Sequence, residues 1–139
     1  MQKSFLILAA FFLAFSASAQ GGRWMVTLNG KLMVAAGTEN TGAHTRQLKR
    51  AEWKKNGYLE IKFTEDEPAT WRRSFIFNDE GDEQLLTKDS VTAVKIPLSA
   101  LRKIFAGKKE LTIYTIIAPL DPSVAIRIRR VHLCTLKLP

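Results

Sequence analysis

The side chains best suited to covalent chemistry in this chain are two histidines and a single cysteine. His44 lies in a Thr-Gly-Ala-His-Thr segment, whereas His132 and Cys134 lie in a stretch with the pattern of a β-strand. A Cys–His nucleophile pair needs a hydrogen bond between its side chains, and residues two apart on a strand share a face without pointing at each other. We therefore predict no catalytic residue. An enzyme would need a pocket in which one of the histidines meets several carboxylates.

The segment from Asn78 to Glu83 is the best candidate for a metal site, because Ca²⁺ prefers several oxygen ligands from a flexible loop. Its carboxylates, grouped around a glycine, are those of Asp79, Glu80, Asp82 and Glu83. The spacing does not match an EF-hand, and acidic residues are common in solvated hairpin turns. No Cys/His ligand spacing or glycine-rich phosphate loop occurs in the sequence. We predict no metal and no cofactor.

The most basic stretch of the sequence surrounds a tryptophan and is the leading candidate for ligand binding. Its residues are Arg46, Lys49, Arg50, Trp53, Lys54 and Lys55. Positive charge beside an aromatic ring favours an anionic glycan, although large aromatic residues are usually buried, so Trp53 could instead pack in the core. The same combination suits single-stranded nucleic acid, but the export signal described below makes that partner unfavoured.

A second basic row is predicted from Arg72, Arg127 and Arg129. On a strand the last two point the same way, and with Arg72 on a neighbouring outer face they could bind phosphate or carboxylate groups. The alternative is a solvated strand face with cross-strand ion pairs to Glu60 or Glu110.

Residues 1–19 have the three parts of a secretory signal peptide. Lys3 supplies the positive charge, Phe5–Phe15 is an uninterrupted apolar run, and Ala17–Ala19 forms a small-x-small cleavage site. The apolar run is shorter than the roughly 20 residues that a membrane-spanning helix needs. We expect cleavage after Ala19, a single domain over residues 20–139 without a transmembrane segment, and a secreted or periplasmic location.

The composition limits how this domain is held together and what attracts it. A single cysteine excludes an intramolecular disulfide, so stability must come from a hydrophobic core, with Cys134 as one of its small buried residues. The formal net charge of +8 favours anionic partners such as acidic glycans or envelope surfaces.

Two Asn-Gly pairs mark predicted hairpins in the first half of the chain. Asn29-Gly30 separates two alternating apolar runs, which is the strongest short-range hairpin signal. Asn56-Gly57 predicts a second hairpin between strands at Thr45–Lys54 and Tyr58–Thr64. Trp24 and Trp71 belong to different predicted strands, and each lies on the apolar face of its own strand. Both are therefore predicted to lie in the core.

The last third of the sequence predicts two long strands, Lys109–Ala118 and Ala125–Leu138. The first is apolar on both faces, as expected of a central strand. In the second strand the apolar parity changes near Arg129-Arg130, which predicts a β-bulge there.

The remaining elements complete an all-β, mainly antiparallel fold. Short strands are expected at 84–88 and 91–96, and residues 97–106 form the one predicted helix, ending near Gly107. The pattern predicts a single-domain β-sandwich of about seven or eight strands, with a small open β-barrel as second choice.

The functional expectation is an exported, non-enzymatic binding module for an anionic glycan or other anionic surface ligand. The alternative is a structural or partner-binding sandwich that offers an exposed strand edge or apolar face to another protein.

Overall fold

The computed structural model describes residues 22–64, 71–89, 91–121, 123 and 129–139. The signal peptide predicted for residues 1–19 lies outside this part of the chain. The described strands are β1 Arg23–Leu28, β2 Lys31–Ala36, β3 Thr45–Gln47, β4 Tyr58–Thr64, β5 Trp71–Asn78, β6 Gln84–Lys88, β7 Ala93–Pro97, β8 Glu110–Pro119 and β9 Val131–Lys137. The described residues also form two short helices, α1 Arg50–Lys54 and α2 Leu98–Ile104.

The strands form two sheets, as the sandwich prediction requires, rather than a barrel. One sheet has the order β2-β1-β4-β7 and is antiparallel throughout. The other has the order β3-β9-β8-β5-β6, in which the short β3 pairs parallel to β9 and the remaining pairs are antiparallel. β8 lies at the centre of the five-stranded sheet, which confirms the prediction of a central strand.

The hydrophobic core lies between the sheets and receives residues from both. Trp24, only 2% exposed, stacks on Phe63 with 5.9 Å between ring centroids. Its indole Nε1 donates to the Leu133 carbonyl at 3.1 Å, which joins the two sheets by a buried hydrogen bond. Cys134 is fully buried, as predicted. The side chain of Trp71 lies outside the described part.

The first predicted hairpin is confirmed. β1 and β2 pair antiparallel around Asn29 and Gly30, which have φ values of 52° and 80°. Both turn residues therefore adopt the left-handed conformation that a tight hairpin requires and that Asn and Gly tolerate.

The second predicted hairpin is wrong. β3 covers only Thr45–Gln47 and belongs to the sheet opposite β4, and α1 occupies the last five residues of the predicted strand. Gly57 does not form a hairpin turn; a Cβ at this position would collide with the Asn29 side chain, so glycine permits close packing.

The predicted helix is confirmed, and the predicted bulge is misplaced. α2 runs from Leu98 to Ile104, and Gly107 follows with a φ of 77°. β9 begins at Val131, after the predicted bulge site, and its register shift makes Leu133 the extra residue. Residues 125–128 of the predicted strand lie outside the described residues.

Candidate functional site

The predicted basic stretch becomes part of a larger surface where α1 meets α2. The Arg102 guanidinium of α2 donates to the carbonyls of Trp53 at 2.7 Å and Lys55 at 3.0 Å. From the β1–β2 hairpin, Lys31 forms an ion pair with Glu52 at 3.3 Å. We call this surface the basic cap and define it by Lys31, Lys49, Arg50, Lys54, Lys55 and Arg102.

The basic cap is held in place by its apolar residues. α1 has only five residues and could not persist alone. Leu48, 1% exposed, precedes it in the core, and the half-buried Trp53 packs against the same core. The backbone amide of Lys49 donates to the Glu52 carboxylate at 3.0 Å and begins the helix. The cationic side chains of α1 are therefore left exposed to solvent.

The packing of Trp53 changes how the basic cap could bind a ligand. The Trp53 side chain is half-buried against the core. This favours the prediction that Trp53 packs in the core over the prediction that its ring is open for a ligand to stack on. Arg46 lies on β3 and its guanidinium donates to the carbonyls of Ala43 and Thr45. Binding at the cap would depend mainly on the charges of α1 and its neighbours.

Glu52 is the only acidic residue in either helix, and it serves the structure of the cap. The hydrogen bond from the Lys49 amide, together with the nearby Lys31 ammonium, holds the pKa of Glu52 below its ordinary value. The carboxylate is thus ionised and offsets one cation. The cap keeps a net positive charge, which attracts anions over the range set by ionic strength.

The second basic row is only partly described. Arg72 is exposed on β5, opposite Ala118 of β8, and Arg127 lies outside the described residues. Arg129 forms an ion pair with Glu39 at 2.6 Å, rather than with Glu60 or Glu110. The other Glu39 oxygen accepts from the His132 backbone amide at 2.8 Å, so this pair attaches a loop to the start of β9.

A polar cleft of about 540 Å³ lies on the outer face of the five-stranded sheet, away from the core. Its floor carries hydroxyl groups and an imidazole, those of Thr45, Thr112, Tyr114, His132 and Thr135. Charged residues of both signs line its rim, among them Asp82, Glu110, Arg130 and Lys137. Sequence reasoning missed this site. The available signal was the spacing of Thr112 and Tyr114 on one face of β8, and it does not show which strands lie beside that face.

The histidines and the cysteine do not form a nucleophilic site. The bulge places His132 opposite Tyr114 on the outer face, and Cys134 opposite Ile113 on the core face. The expectation that His132 and Cys134 share a face is therefore wrong. Burial raises the pKa of the Cys134 thiol to about 12, so the thiol is protonated and unreactive at neutral pH.

In the acidic turn at the cleft wall, Asp79 and Asp82 accept hydrogen bonds from other groups of the protein. Asp79 accepts from the amides of Gly81 and Glu83, each at 2.9 Å, and from the Lys108 ammonium at 3.0 Å. These bonds, first that from Glu83, hold the pKa of Asp79 below its ordinary value. Asp82 accepts from Arg130 and Asn78. Within the described residues, no three potential metal-ligating side chains of His, Cys, Asp or Glu come together.

These features define the molecule as an all-β sandwich with a basic cap and a polar cleft on its surface. Comparison of the chain with protein-family models, curated proteins and solved structures finds no match. In the part of the chain that the structure describes, no helix has the length and apolar character needed to cross a membrane.

Proposed function

We propose that the protein is an exported binding module that holds an anionic polysaccharide, or a similar anionic surface, through the basic cap without catalysing a reaction. The observation that supports this is the convergence of cations from three separate segments: the β1–β2 hairpin, α1 and α2. Their one acidic neighbour in the helices, Glu52, is occupied by Lys31 and by the Lys49 amide.

Charge, rather than ring stacking, would provide the affinity of the cap. Exposed ion pairs contribute about 0.2–1 kcal/mol each and are screened by salt, so several must act together. Arg50 and Lys54 are four residues apart on α1 and lie on one helix face. A linear polyanion could contact both at once. Binding should therefore weaken steeply as ionic strength rises.

The double variant R50E/K54E tests the cap. We expect about ten- to a hundredfold weaker binding of heparin oligosaccharide, measured by fluorescence polarisation at two salt concentrations, because two attractions become repulsions. The control is K62E/K88E, which changes net charge equally at exposed positions on β4 and β6. Equal weakening in both variants would show that net charge alone acts.

Export is checked by mass spectrometry of protein recovered outside the cytoplasm, which should begin at Gln20.

The second candidate function is strand addition by a protein partner at β2, an edge strand of the four-stranded sheet. Leu32 on this edge is 51% exposed and Met25 on the neighbouring β1 is 47% exposed. Unpaired edges with exposed apolar residues can pair with another chain. If a second copy is the partner, sedimentation should show a concentration-dependent dimer that Leu32→Lys abolishes. If the protein stays monomeric at all concentrations, pairing of β2 with a second copy is excluded.

A further inference from the structure

The floor of the polar cleft is a row of groups that can both donate and accept hydrogen bonds. Register pairs Thr45 with Thr135, Thr135 with Thr112, and Thr112 with Asn78, so the row crosses β3, β9, β8 and β5. The hydroxyls of Thr112 and Thr135 lie 3.3 Å apart. A ligand with many hydroxyl groups could meet a complementary group at each step along this row.

His132 adds a buried group whose hydrogen bonding is incomplete. Its side chain lines the cleft and is 6% exposed, and its Nε2 lies 2.7 Å from the Thr135 hydroxyl. Among the described residues, its buried Nδ1 has no hydrogen-bond partner, and neither has Asn78 Oδ1 beside the same row. Buried polar atoms are rarely left unpaired, because such atoms destabilise the fold. The imidazole thus keeps a hydrogen-bonding atom that no described residue satisfies.

Burial also keeps this imidazole uncharged. The pKa of His132 lies below its ordinary value of 6.5, mainly because the ring is desolvated and secondly because of nearby His44. A neutral imidazole has one donor and one acceptor, like a hydroxyl group. The floor of the cleft is thus polar without carrying a formal charge.

The rim disfavours the anions that suit the basic cap. The Arg130 guanidinium lies 4.1 Å from the Tyr114 ring centroid and contacts both carboxylate oxygens of Asp82, at 2.9 and 3.0 Å. Glu110 lies opposite Lys137 across β8 and β9. The positive charges of the rim therefore have acidic neighbours. A polyanion would gain little in this cleft, whereas an uncharged polar molecule would not be repelled.

We propose that the polar cleft binds an uncharged saccharide through the hydroxyls of Thr112 and Tyr114 and the neutral imidazole of His132. Sugar hydroxyls donate and accept at once, as these groups do, and the volume lies within the usual range of about 300–1,000 Å³ for small-molecule sites. The site is separate from the basic cap, so the two proposals can fail independently.

The test uses the purified, isotope-labelled protein and four uncharged probes: cellohexaose, maltohexaose, xylohexaose and chitohexaose. In amide-resolved NMR titrations at millimolar sugar, we expect at least one probe to shift the amides of Thr112, Tyr114, His132 and Thr135. Failure of all four to shift these amides, or shifts confined to other surfaces, would overturn the proposal.

Two variants then locate the contacts. Thr112→Val removes a floor hydroxyl with little change in shape, and Tyr114→Phe removes the phenol while keeping the ring under Arg130. Each should weaken the best probe about tenfold, as expected when a polar contact is lost. The control Thr27→Val makes the same replacement on the other sheet and should bind like the wild type. Equal affinity in Thr112→Val, Tyr114→Phe and Thr27→Val would reject saccharide binding in the cleft. The cap variant R50E/K54E should bind the uncharged sugar as the wild type does.

Discussion

The basic cap and the polar cleft are both polar surfaces, but they are built in opposite ways. The cap consists of cations on and beside two short helices and on the β1–β2 hairpin, with Glu52 as the one acidic residue in those helices. The cleft consists of side chains brought together by strand register, and its cations have acidic neighbours, as Arg130 has Asp82. The difference suggests two modes of recognition: long-range attraction at the cap, and short-range hydrogen bonding in the cleft.

The largest effect should come from removing the apolar anchor of the cap. Leu48→Ala should lower the free energy of unfolding by about 2–5 kcal/mol, because it creates a cavity at a residue that is 1% exposed. Urea denaturation measures this change. In native-state hydrogen exchange the amides of α1 should lose protection before the amides of β8 do.

Lys54→Ala is the matched control, since it alters an exposed residue of α1, the helix that Leu48 precedes. It should change stability by no more than about 0.5 kcal/mol. If Leu48→Ala were equally mild, the cap would not depend on the core, and its contrast with the sheet-built cleft would fail.

A smaller, pH-dependent effect should appear at Asp79 in the cleft wall. Its pKa is lowered in the folded protein by the Glu83 amide and by Lys108, so its contribution is present above the ordinary pKa of 3.8 and is lost as pH falls through the folded value. Asp79→Asn should therefore be less stable than the wild type at neutral pH. The difference should shrink as the pH is lowered below 3.8.

Urea denaturation across this pH range measures the effect, with Asp89→Asn as a control at an exposed position after β6. A stability difference for Asp79→Asn that stays constant with pH would contradict the assigned hydrogen bonds. Lys54→Ala should show no such acid dependence, because the ammonium that it removes stays protonated over this whole pH range.

Sequence reasoning succeeded where short-range signals decide the structure. The Asn29-Gly30 turn, α2 and the central position of β8 each follow from residues close together in the chain. The basic stretch around α1 was visible for the same reason, because its residues are consecutive or nearly so. Arg102 and Lys31 join it only through tertiary contacts, which no local pattern indicates.

The failures arise where distant residues determine the outcome. Thr45–Lys54 looked like a strand because Asn56-Gly57 resembles a turn. Two tertiary contacts favour the observed structure instead: Arg102 donates to the carbonyls of Trp53 and Lys55, and Leu48 is buried in the core. The cleft depends on pairing Thr45 with Thr135 and Thr135 with Thr112. Such register cannot be derived without knowing which strands are neighbours.

The extra residue at Leu133 acts as a one-position change of phase within a single strand. Before it, His132 faces the cleft; after it, Cys134 and Leu136 face the core, in step with their partners on β8. The Leu133 carbonyl accepts the Trp24 indole from the opposite sheet. Deleting Leu133 would reverse the faces of the strand on one side of the deletion. Either His132 would turn toward the core, or Cys134 and Leu136 would turn toward the cleft.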